Sequence, residues 1–312
     1  MRVLGLMSGT SADGVDAVLV ELSGSAEHPH WTLLRSASLD YPASTRQLIL
    51  AVGQGEAKTA STLLNLSETI TKIQAAAARQ CDPEGQAQLV GCHGQTLWHR
   101  PPEDAETGAL QPGASWQMLQ APLLAQLLKR PVIFDFRAAD LALGGQGAPL
   151  VPKADAALLG RTKGWRALLN LGGIANLTLI PPDAGPDRLQ PVRGWDCGPA
   201  NSLIDLAMEQ FSEGKESCDE SGRLAEKGQC DEALILRWLA EPYFQLSPPK
   251  STGRELFGRT DLTRRLQAMQ GQSIADQITT LTTFSAFAVA QDRQQLSNQN
   301  HPLPIDLFVA GG

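Results

Sequence analysis

Two glycine-bearing turns, far apart in the chain, each lie between short apolar runs, and this repeated pattern constrains the fold most. In the first, RVLGLM (2–7) and AVLVEL (17–22) flank a small polar turn. In the second, RALLNLGGIANLTLI (166–180) carries Gly172 and Gly173 between two apolar runs. Runs this short and this rich in Val and Leu do not make stable helices. Each segment therefore predicts two strands joined by a turn.

The segment that follows the first hairpin alternates between helical and strand patterns. Residues 59–80 carry apolar side chains at helical spacing, which predicts an amphipathic helix. AQLVGCHGQT (87–96) predicts a buried strand that ends in a polar turn. Residues 115–130 predict a second helix with Ser115 as its N-cap, ending at Pro131. VIFDF then predicts another strand.

The second half of the chain repeats this order. After its hairpin, WDCGPAN (195–201) predicts a sharp turn, followed by a helix from about Ser202. Residues 275–296 predict a long helix, and PIDLFVAGG predicts a strand. The repetition indicates an α/β fold of two related halves, with a ligand in the cleft between them. We place the first domain at 1–133 and the second at 134–312.

The composition excludes several classes of partner. The chain has 312 residues, 42% of them hydrophobic, and a formal net charge of −7 without any block of Lys and Arg. A nucleic-acid or anionic-membrane partner is therefore not expected. The longest apolar runs are too short for a signal peptide or a membrane span. The five cysteines include no C-x-x-C pair, which favours reduced thiols in a cytosol over disulfides or a zinc site.

The first turn has the spacing of a nucleotide-binding P-loop but not its residues. Gly9 and Gly14 are separated as in G-x-x-x-x-G-K-[ST], but Val15 and Asp16 replace the Lys and the hydroxyl. Since the lysine contacts the outer phosphates and the hydroxyl binds Mg²⁺, that mechanism is lost. A P-loop also opens a helix, whereas this turn precedes a strand pattern. The dinucleotide fingerprint G-x-G-x-x-G is absent as well.

A hairpin turn can nevertheless bind phosphate through its backbone. Successive N–H groups in a tight turn form an anion nest, and Thr10 and Ser11 add hydroxyl donors. Asp13 and Asp16 would repel a bare phosphate but suit one that arrives with Mg²⁺. The alternative is an ordinary turn, since Gly, Ser and Asp are common in turns. The second glycine-tipped hairpin favours phosphate binding, because two hairpins can grip one polyphosphate from both sides.

Six motifs lie in order along nearly the whole chain: GLMSGTSADGVD, GCHGQT, DFRAADLALGGQGAPLVP, LNLGGIANLT, WDCGPANSLID and PPKSTGRELF. Together they resemble the anhydro-N-acetylmuramic acid kinase family. The resemblance implies two actin-like ATPase domains of the ribonuclease H-like type with a cleft between them. It also implies a cytoplasmic homodimer that uses ATP and Mg²⁺ in cell-wall recycling. The family's reaction converts 1,6-anhydro-N-acetylmuramic acid and water into N-acetylmuramic acid 6-phosphate and ADP.

This reaction needs only one catalytic carboxylate. An ordinary glycosidase uses two, one to activate water and one to protonate the leaving oxygen. Here the departing O6 attacks the γ-phosphate of ATP, so a single carboxylate that deprotonates water suffices. Asp196, in the Gly/Pro-rich turn WDCGPAN, matches the family's catalytic aspartate. The alternative role is a cap for the next helix, but a cap reaches only two or three residues ahead, and that helix begins near 202.

The resemblance and the loop chemistry together assign the binding residues. Those expected to bind ATP and its phosphates are Gly9, Thr10, Ser11, Ala12, Asp13, Gly14, Val15, Asp16, Gly172, Gly173, Asn176, Gly198, Gly311 and Gly312. Those expected to contact the sugar are His93, Gln95, Thr96, Arg137, Asp140 and Asn201. Asp13 and Asp16 are the candidate Mg²⁺ contacts. Met7 stands where other members of the superfamily carry an acid, so the metal arrangement is not copied from them.

Several assignments keep a structural alternative. His93 is either a sugar contact or a buried structural histidine. Arg137 and Asp140 either pair with each other or hold the sugar hydroxyls and the lactyl carboxylate, which suits the bidentate fork of arginine. Lys250, Ser251 and Arg254, in PPKSTGRELF, are expected to be partly structural, with a basic pair near ATP as the alternative.

The final residues, VAGG, correspond to the start of the family's glycine-rich adenosine loop. We therefore expect a truncated chain with an incomplete nucleotide pocket, lacking an acidic residue near the sugar and a helix over the first domain. An inactive remnant that binds only sugar or nucleotide is one rival function. A nucleotide-driven chaperone or scaffold of the same superfold is another, because fold alone does not fix function. Sugar-dependent release of ADP separates the kinase from both.

Overall fold

The structure, a computed structural model, divides into two compact units. It describes residues 1–25, 28–100, 102–104, 110–253, 255–298 and 303–311. The units are Met1–Leu150 and Val151–Gly312. The domain change expected after residue 133 therefore falls inside the first unit. The helix Phe136–Ala142 contacts that unit's sheet, and its Arg137 lies 3.0 Å from His93, which keeps the segment in the first unit.

The first unit combines strands and helices along its sequence. Its strands are β1 (Arg2–Ser8), β2 (Gly14–Gly24), β3 (Pro29–Asp40), β4 (Leu89–Arg100), β5 (Glu103–Asp104), β6 (Leu110–Gln111), β7 (Ala114–Met118) and β8 (Val132–Phe134). Its helices are α1 (Ala43–Gly53), α2 (Ala60–Cys81), α3 (Ala121–Leu128) and α4 (Phe136–Ala142).

The main sheet of this unit has the order β3-β2-β1-β4-β7, and β8 also pairs with β4. The strands β1, β2 and β3 form an antiparallel meander, while β4 runs parallel to β1. Alternate residues of β1 point to one face of the sheet. On that face Leu4 and Leu6 are buried in one core with Ile70 of α2. Helix α2 begins after Thr59, whose side chain accepts the N–H of Thr62, and this confirms the predicted amphipathic helix.

The second unit is also mixed. Its strands are β9 (Arg166–Leu171), β10 (Ile174–Ile180), β11 (Arg193–Pro199) and β12 (Asp306–Gly311). Its helices are α5 (Pro152–Leu159), α6 (Ser202–Phe211), α7 (Glu232–Leu239), α8 (Pro242–Gln245), α9 (Arg259–Ala268) and α10 (Ile274–Asn298).

Both units build their sheet in the same order. In the second unit the order is β11-β10-β9-β12, with antiparallel pairs β11–β10 and β10–β9 and a parallel pair β9–β12. This reproduces β3-β2-β1-β4 of the first unit, strand for strand and direction for direction. The prediction of an α/β fold with two related halves, each opened by a hairpin, is therefore confirmed.

Three local predictions are wrong. The strand expected to end at 96 continues as β4 to Arg100, because its second half pairs with β7. Ser115 lies within β7 and caps no helix; α3 begins at Ala121. Asp196 lies in strand β11 and not in a turn, because this stretch pairs with β10. In each case cross-strand pairing outweighs a local turn or cap signal.

Across the described ranges, none of the helices combines the length and the apolar character needed to cross a bilayer.

Candidate active site

The first hairpin turn is braced by a glutamine from the neighbouring strand. Ser8 Oγ, at the end of β1, lies 2.6 Å from Gln95 Oε1 and 2.7 Å from the Gly14 carbonyl. Gln95 Nε2 donates to the carbonyl of Gly9 at 3.1 Å. Both Ser8 and Gln95 are buried. Gln95, predicted as a sugar contact, thus holds the start of the predicted phosphate loop, and Ser8 links that start to Gly14.

Two of the eight residues predicted to bind phosphate in this loop have side chains that pack into the protein core. Ala12 and Val15 are buried in the hydrophobic core of the first unit. Ala12 adopts a left-handed backbone with φ +55° and donates its N–H to the carbonyl of Gly9 at 3.2 Å, which closes the turn. These two residues offer a phosphate only backbone groups. Thr10 and Ser11 are half-buried.

The two carboxylates of the loop already have protein partners. Asp13 Oδ1 lies 3.2 Å from Arg46 Nε, and Ser38 Oγ donates to Asp16 Oδ1 at 2.5 Å. Both aspartates are exposed. Mg²⁺ prefers oxygen ligands and commonly takes one or two carboxylates together with phosphate oxygens and waters. The donor chemistry of Asp13 and Asp16 fits such an ion. Within the described part of the chain, no group of three or more His, Cys, Asp and Glu side chains forms a metal site alone.

A second cluster in the first unit joins β4 to α4. Arg137 Nη2 lies 3.0 Å from His93 Nε2, and Arg137 Nη1 donates to the Gly147 carbonyl at 2.6 Å. The Gly147 N–H donates to Asp140 Oδ2 at 2.7 Å. The structure thus brings His93, Arg137 and Asp140 together. Arg137 and Asp140 both hydrogen-bond to the backbone of Gly147. The sequence had left a direct ion pair between them as one alternative, and the contact instead runs through this glycine.

The tautomer of His93 follows from its neighbours. Because a guanidinium can only donate, Nε2 accepts from Arg137, and Nδ1 carries the proton that it donates to the Gly94 carbonyl at 3.0 Å. Burial and the nearby charge of Arg137 lower the pKa of His93 to about 4. His93 is therefore neutral at physiological pH. The pKa of His99 is lowered to about 4 by the same causes, burial first.

Thr96, the remaining sugar-contact prediction in β4, is engaged by the adjacent strand. Gln117 Nε2, in β7, donates to Thr96 Oγ1 at 3.3 Å and to Ser115 Oγ at 2.9 Å.

The second hairpin is tied to the start of α6. The carbonyl of Gly172 accepts the N–H of Asn201 at 3.0 Å, and the carbonyl of Gly173 accepts those of Ala200 and Ser202 at 3.0 Å. Asn201 Nδ2 donates to the Leu171 carbonyl at 2.9 Å. The carbonyls of the glycine tip therefore point towards the turn that follows β11. Asn201, predicted as a sugar contact, uses its amide N–H to hold the hairpin.

Asp196 is buried between two backbone segments. On one side it lies opposite Asn176 of β10. On the other, its N–H donates to the Lys250 carbonyl at 2.9 Å, and Thr252 N–H donates to Asp196 Oδ2 at 2.9 Å. Tyr243 Oη donates to the Asp196 carbonyl at 2.7 Å. A carboxylate held by a backbone donor is pre-oriented to accept a proton.

Asp196 does not cap α6. That helix begins at Ser202, and Asn201 occupies its N-cap position. The alternative of a simple helix cap is therefore wrong.

Gly198 faces the core of the second unit. Its φ is +151°, and a Cβ there would lie 2.8 Å from Phe244 Cε1 and 3.3 Å from the Ala288 Cβ. Gly311 has φ +103° and pairs with Leu171, beside the second hairpin. Gly312 and Arg254 lie outside the described residues.

Sequence reasoning missed Thr252 and Tyr243, which contact Asp196 directly. Both come from a loop and a short helix some fifty residues away in sequence, where no spacing rule reaches. Lys250 was expected to be partly structural, and its side chain is in fact almost fully buried. The only signal for this segment was the motif PPKSTGRELF as a whole.

A family model described as anhydro-N-acetylmuramic acid kinase matches residues 1–312. A relative of that name from Synechococcus sp. (strain CC9311) is 90% identical over 100% of this chain and 81% of its own length. Another, from Synechococcus sp. (strain CC9902), is 64% identical with the same coverage. A solved ROK family glucokinase from Streptomyces griseus aligns over 100% of this chain and 83% of its own, at 16% identity and a TM-score of 0.35.

Proposed function

The chain belongs to the anhydro-N-acetylmuramic acid kinase family, and we propose that it catalyses that family's reaction. The enzyme cleaves the 1,6-anhydro bond of 1,6-anhydro-N-acetylmuramic acid with water and transfers the γ-phosphate of ATP to O6. The products are N-acetylmuramic acid 6-phosphate and ADP. The observation that carries the residue-level proposal is the buried carboxylate of Asp196, held by the backbone of Thr252.

Asp196 acts as the general base. It takes a proton from water as the water oxygen forms its bond to C1 and the C1–O6 bond breaks. The electron pair of that bond stays on O6, which attacks the γ-phosphate, and the bond from the phosphorus to the bridging oxygen of ADP breaks. A second carboxyl group to protonate O6 is not needed, because phosphorus takes the place of the proton.

The two glycine hairpins bind the phosphates of ATP. In the first unit, the backbone of Gly9, Thr10 and Ser11 supplies N–H and hydroxyl donors. Gln95 keeps this turn in one conformation by its bond to Gly9. Asp13 and Asp16 would hold Mg²⁺, which neutralises phosphate charge when it is bound. In the second unit, the tip at Gly172–Gly173 serves the same purpose.

The cluster of His93, Arg137 and Asp140 contacts the sugar. The guanidinium of Arg137 binds the lactyl carboxylate, for which its paired N–H donors are suited. Neutral His93 presents no extra charge to the sugar, and Asp140 fixes the loop at Gly147. We further propose a cytoplasmic homodimer that works in cell-wall recycling, which analytical ultracentrifugation and cell fractionation test.

A coupled assay for ADP release tests the proposal. Turnover is expected only when both ATP and the anhydro sugar are present, and Asp196→Asn is expected to reduce it to background. The folded state of the variant is checked by its melting temperature. Binding of the sugar without any turnover by the wild-type chain would contradict a kinase. ATP hydrolysis that ignores the sugar but responds to unfolded peptide would point instead to a chaperone.

A further inference from the structure

The residues on either side of Asp196 are anchored to one carboxylate of α10. Trp195 Nε1 donates to Asp292 Oδ2 at 3.0 Å, and the thiol of Cys197 hydrogen-bonds to the same carboxylate. Successive side chains of a strand point to opposite faces. Trp195 and Cys197 therefore hold β11 from one face, while the Asp196 side chain lies on the other.

The same carboxylate holds a lysine from a different segment. Lys250 Nζ lies 2.8 Å from Asp292 Oδ1, and the two side chains are 2% and 1% exposed. The ammonium also lies 4.9 Å from the ring centre of Tyr243, a favourable cation–π distance. Burying two charges is costly and often adds no net stability. A buried pair beside the proposed catalytic carboxylate therefore points to a role other than stability.

Two backbone groups of the segment 250–252 contact Asp196. The Lys250 carbonyl accepts the Asp196 N–H at 2.9 Å, and two residues later Thr252 N–H donates to Asp196 Oδ2 at 2.9 Å. The segment 250–252 is thus bonded both to the backbone and to the side chain of Asp196. Its position depends on where the Lys250 side chain is fixed. Asp292 binds the Lys250 side chain and also binds Trp195 of β11. One carboxylate therefore sets the distance between the segment 250–252 and β11.

We propose that Lys250 and Asp292 form a positioning pair for the catalytic base. The pair touches no substrate; it locks the segment 250–252 against β11 and so fixes the direction of the Asp196 carboxylate. This role rests on the proposed function of Asp196 as general base. Misplacing a catalytic group by about 1 Å lowers the rate by about 100-fold, so loss of the pair affects the chemical step more than substrate binding.

The experiment compares Lys250→Met with a matched control, Arg265→Met. Arg265, in α9, is another fully buried cation of the second unit, paired with Asp261 at 2.7 Å and Glu241 at 3.0 Å. Both variants lose a buried ion pair and are expected to have lower melting temperatures. Values of kcat and of KM for the anhydro sugar are measured at saturating ATP and normalised to the folded fraction.

Lys250→Met is expected to lower kcat by about 10- to 100-fold with KM for the sugar changed less than about twofold. Arg265→Met is expected to keep kcat near the wild-type value. Lys250→Arg, which keeps a cation beside Asp292, is expected to recover part of kcat. If Lys250→Met does not fold, Asp292→Asn, which keeps an acceptor for Trp195, is measured with the same expectation.

The outcomes separate the two proposals. Wild-type turnover with an unchanged kcat in Lys250→Met, or an equal loss in Arg265→Met, overturns the positioning role alone. No sugar-dependent turnover by the wild-type chain overturns the proposed function, and the positioning role with it.

Discussion

Thr252 donates its backbone N–H to Oδ2 of Asp196 at 2.9 Å, although the two residues are 56 positions apart in the chain. The contact is buried, and it is made by a group that every residue except proline possesses. The orientation of the carboxylate thus depends on backbone geometry more than on the identity of the neighbouring side chain.

A proline at position 252 removes this backbone donor. Thr252→Pro is expected to lower kcat by about 10-fold or more. Asp196 Oδ2 loses a buried partner, and the new proline restricts Ser251, the residue before it, to extended conformations. Thr252→Ala keeps the N–H and is expected to retain most of kcat. The measurement is sugar-dependent ADP release by both variants at equal folded concentration. Equal losses in the two would show that the hydroxyl, and not the N–H, matters.

Replacing Gly198 by alanine tests the packing behind β11. The added methyl would lie 2.8 Å from Phe244 Cε1, and Phe244 is itself buried. We expect a loss of about 2–4 kcal/mol in the free energy of unfolding, from overpacking and from the strained backbone together. Gly214→Ala is the control: its φ is +79° but its surroundings are open, so only about 1 kcal/mol is expected.

Chemical denaturation of Gly198→Ala, Gly214→Ala and wild type gives these values directly. A Gly198→Ala protein no less stable than Gly214→Ala would mean that Phe244 moves aside at little cost.

The two buried histidines of β4 make stability depend on pH. The pKa of each is about 4 when folded and close to its ordinary value of 6.5 when unfolded. Between pH 6.5 and pH 4 these histidines are therefore protonated in the unfolded chain but neutral in the folded chain. Stability is highest above pH 6.5 and falls as the pH decreases towards 4. The expected loss between pH 7 and pH 5 is about 2 kcal/mol for each histidine.

His99→Gln isolates one of these contributions. Glutamine keeps hydrogen-bonding groups near Ser115 but does not titrate, so the variant should lose less stability than wild type between pH 7 and pH 5. For each protein, the free energy of unfolding is measured with urea at pH 7 and at pH 5, and the two differences are compared. Parallel curves for the two proteins would show that His99 is not the titrating group.

Arg137→Lys tests the sugar cluster. Arginine reaches Gly147 and His93 at the same time through two nitrogens, whereas an ammonium is a single point charge. We expect KM for the anhydro sugar to increase by about 10-fold or more, with a smaller change in KM for ATP. Steady-state kinetics with each substrate varied in turn provide the test. A change confined to KM for ATP would place Arg137 near the nucleotide instead.

The two hairpins and the repetition of the α/β pattern in the two halves were predictable from apolar runs and glycine turns, because strands and tight turns are encoded locally, whereas the order of the strands within each sheet was not. The helix α2 was predictable for the same reason, from the helical spacing of its apolar residues. The surroundings of Asp196 were not. They depend on contacts from Tyr243, Lys250 and Thr252, and only the folded chain brings those residues to β11.

Ser115 and Asp196 illustrate a second limit. Ser115 has the chemistry of a cap and Asp196 the neighbours of a turn, yet both lie in strands. A partner strand supplies hydrogen bonds along a whole segment, which outweighs the preference of any one residue. Local signals near the edge of a sheet are thus the least dependable guide to where an element ends.

The long helix α10 contacts the neighbourhood of Asp196 through Ser285, Ala288 and Asp292. Ser285 Oγ donates to the Ala200 carbonyl at 2.8 Å, Ala288 packs where a Cβ on Gly198 would lie, and Asp292 accepts the indole N–H of β11. These three positions are three and four residues apart and therefore share one helix face. A substitution at any of these three helix positions alters the packing of the residues in and just after β11 that contact the other two. Over evolutionary time the helix face and the strand should change together, as correlated pairs across related sequences, even though no residue of α10 need ever meet the substrate.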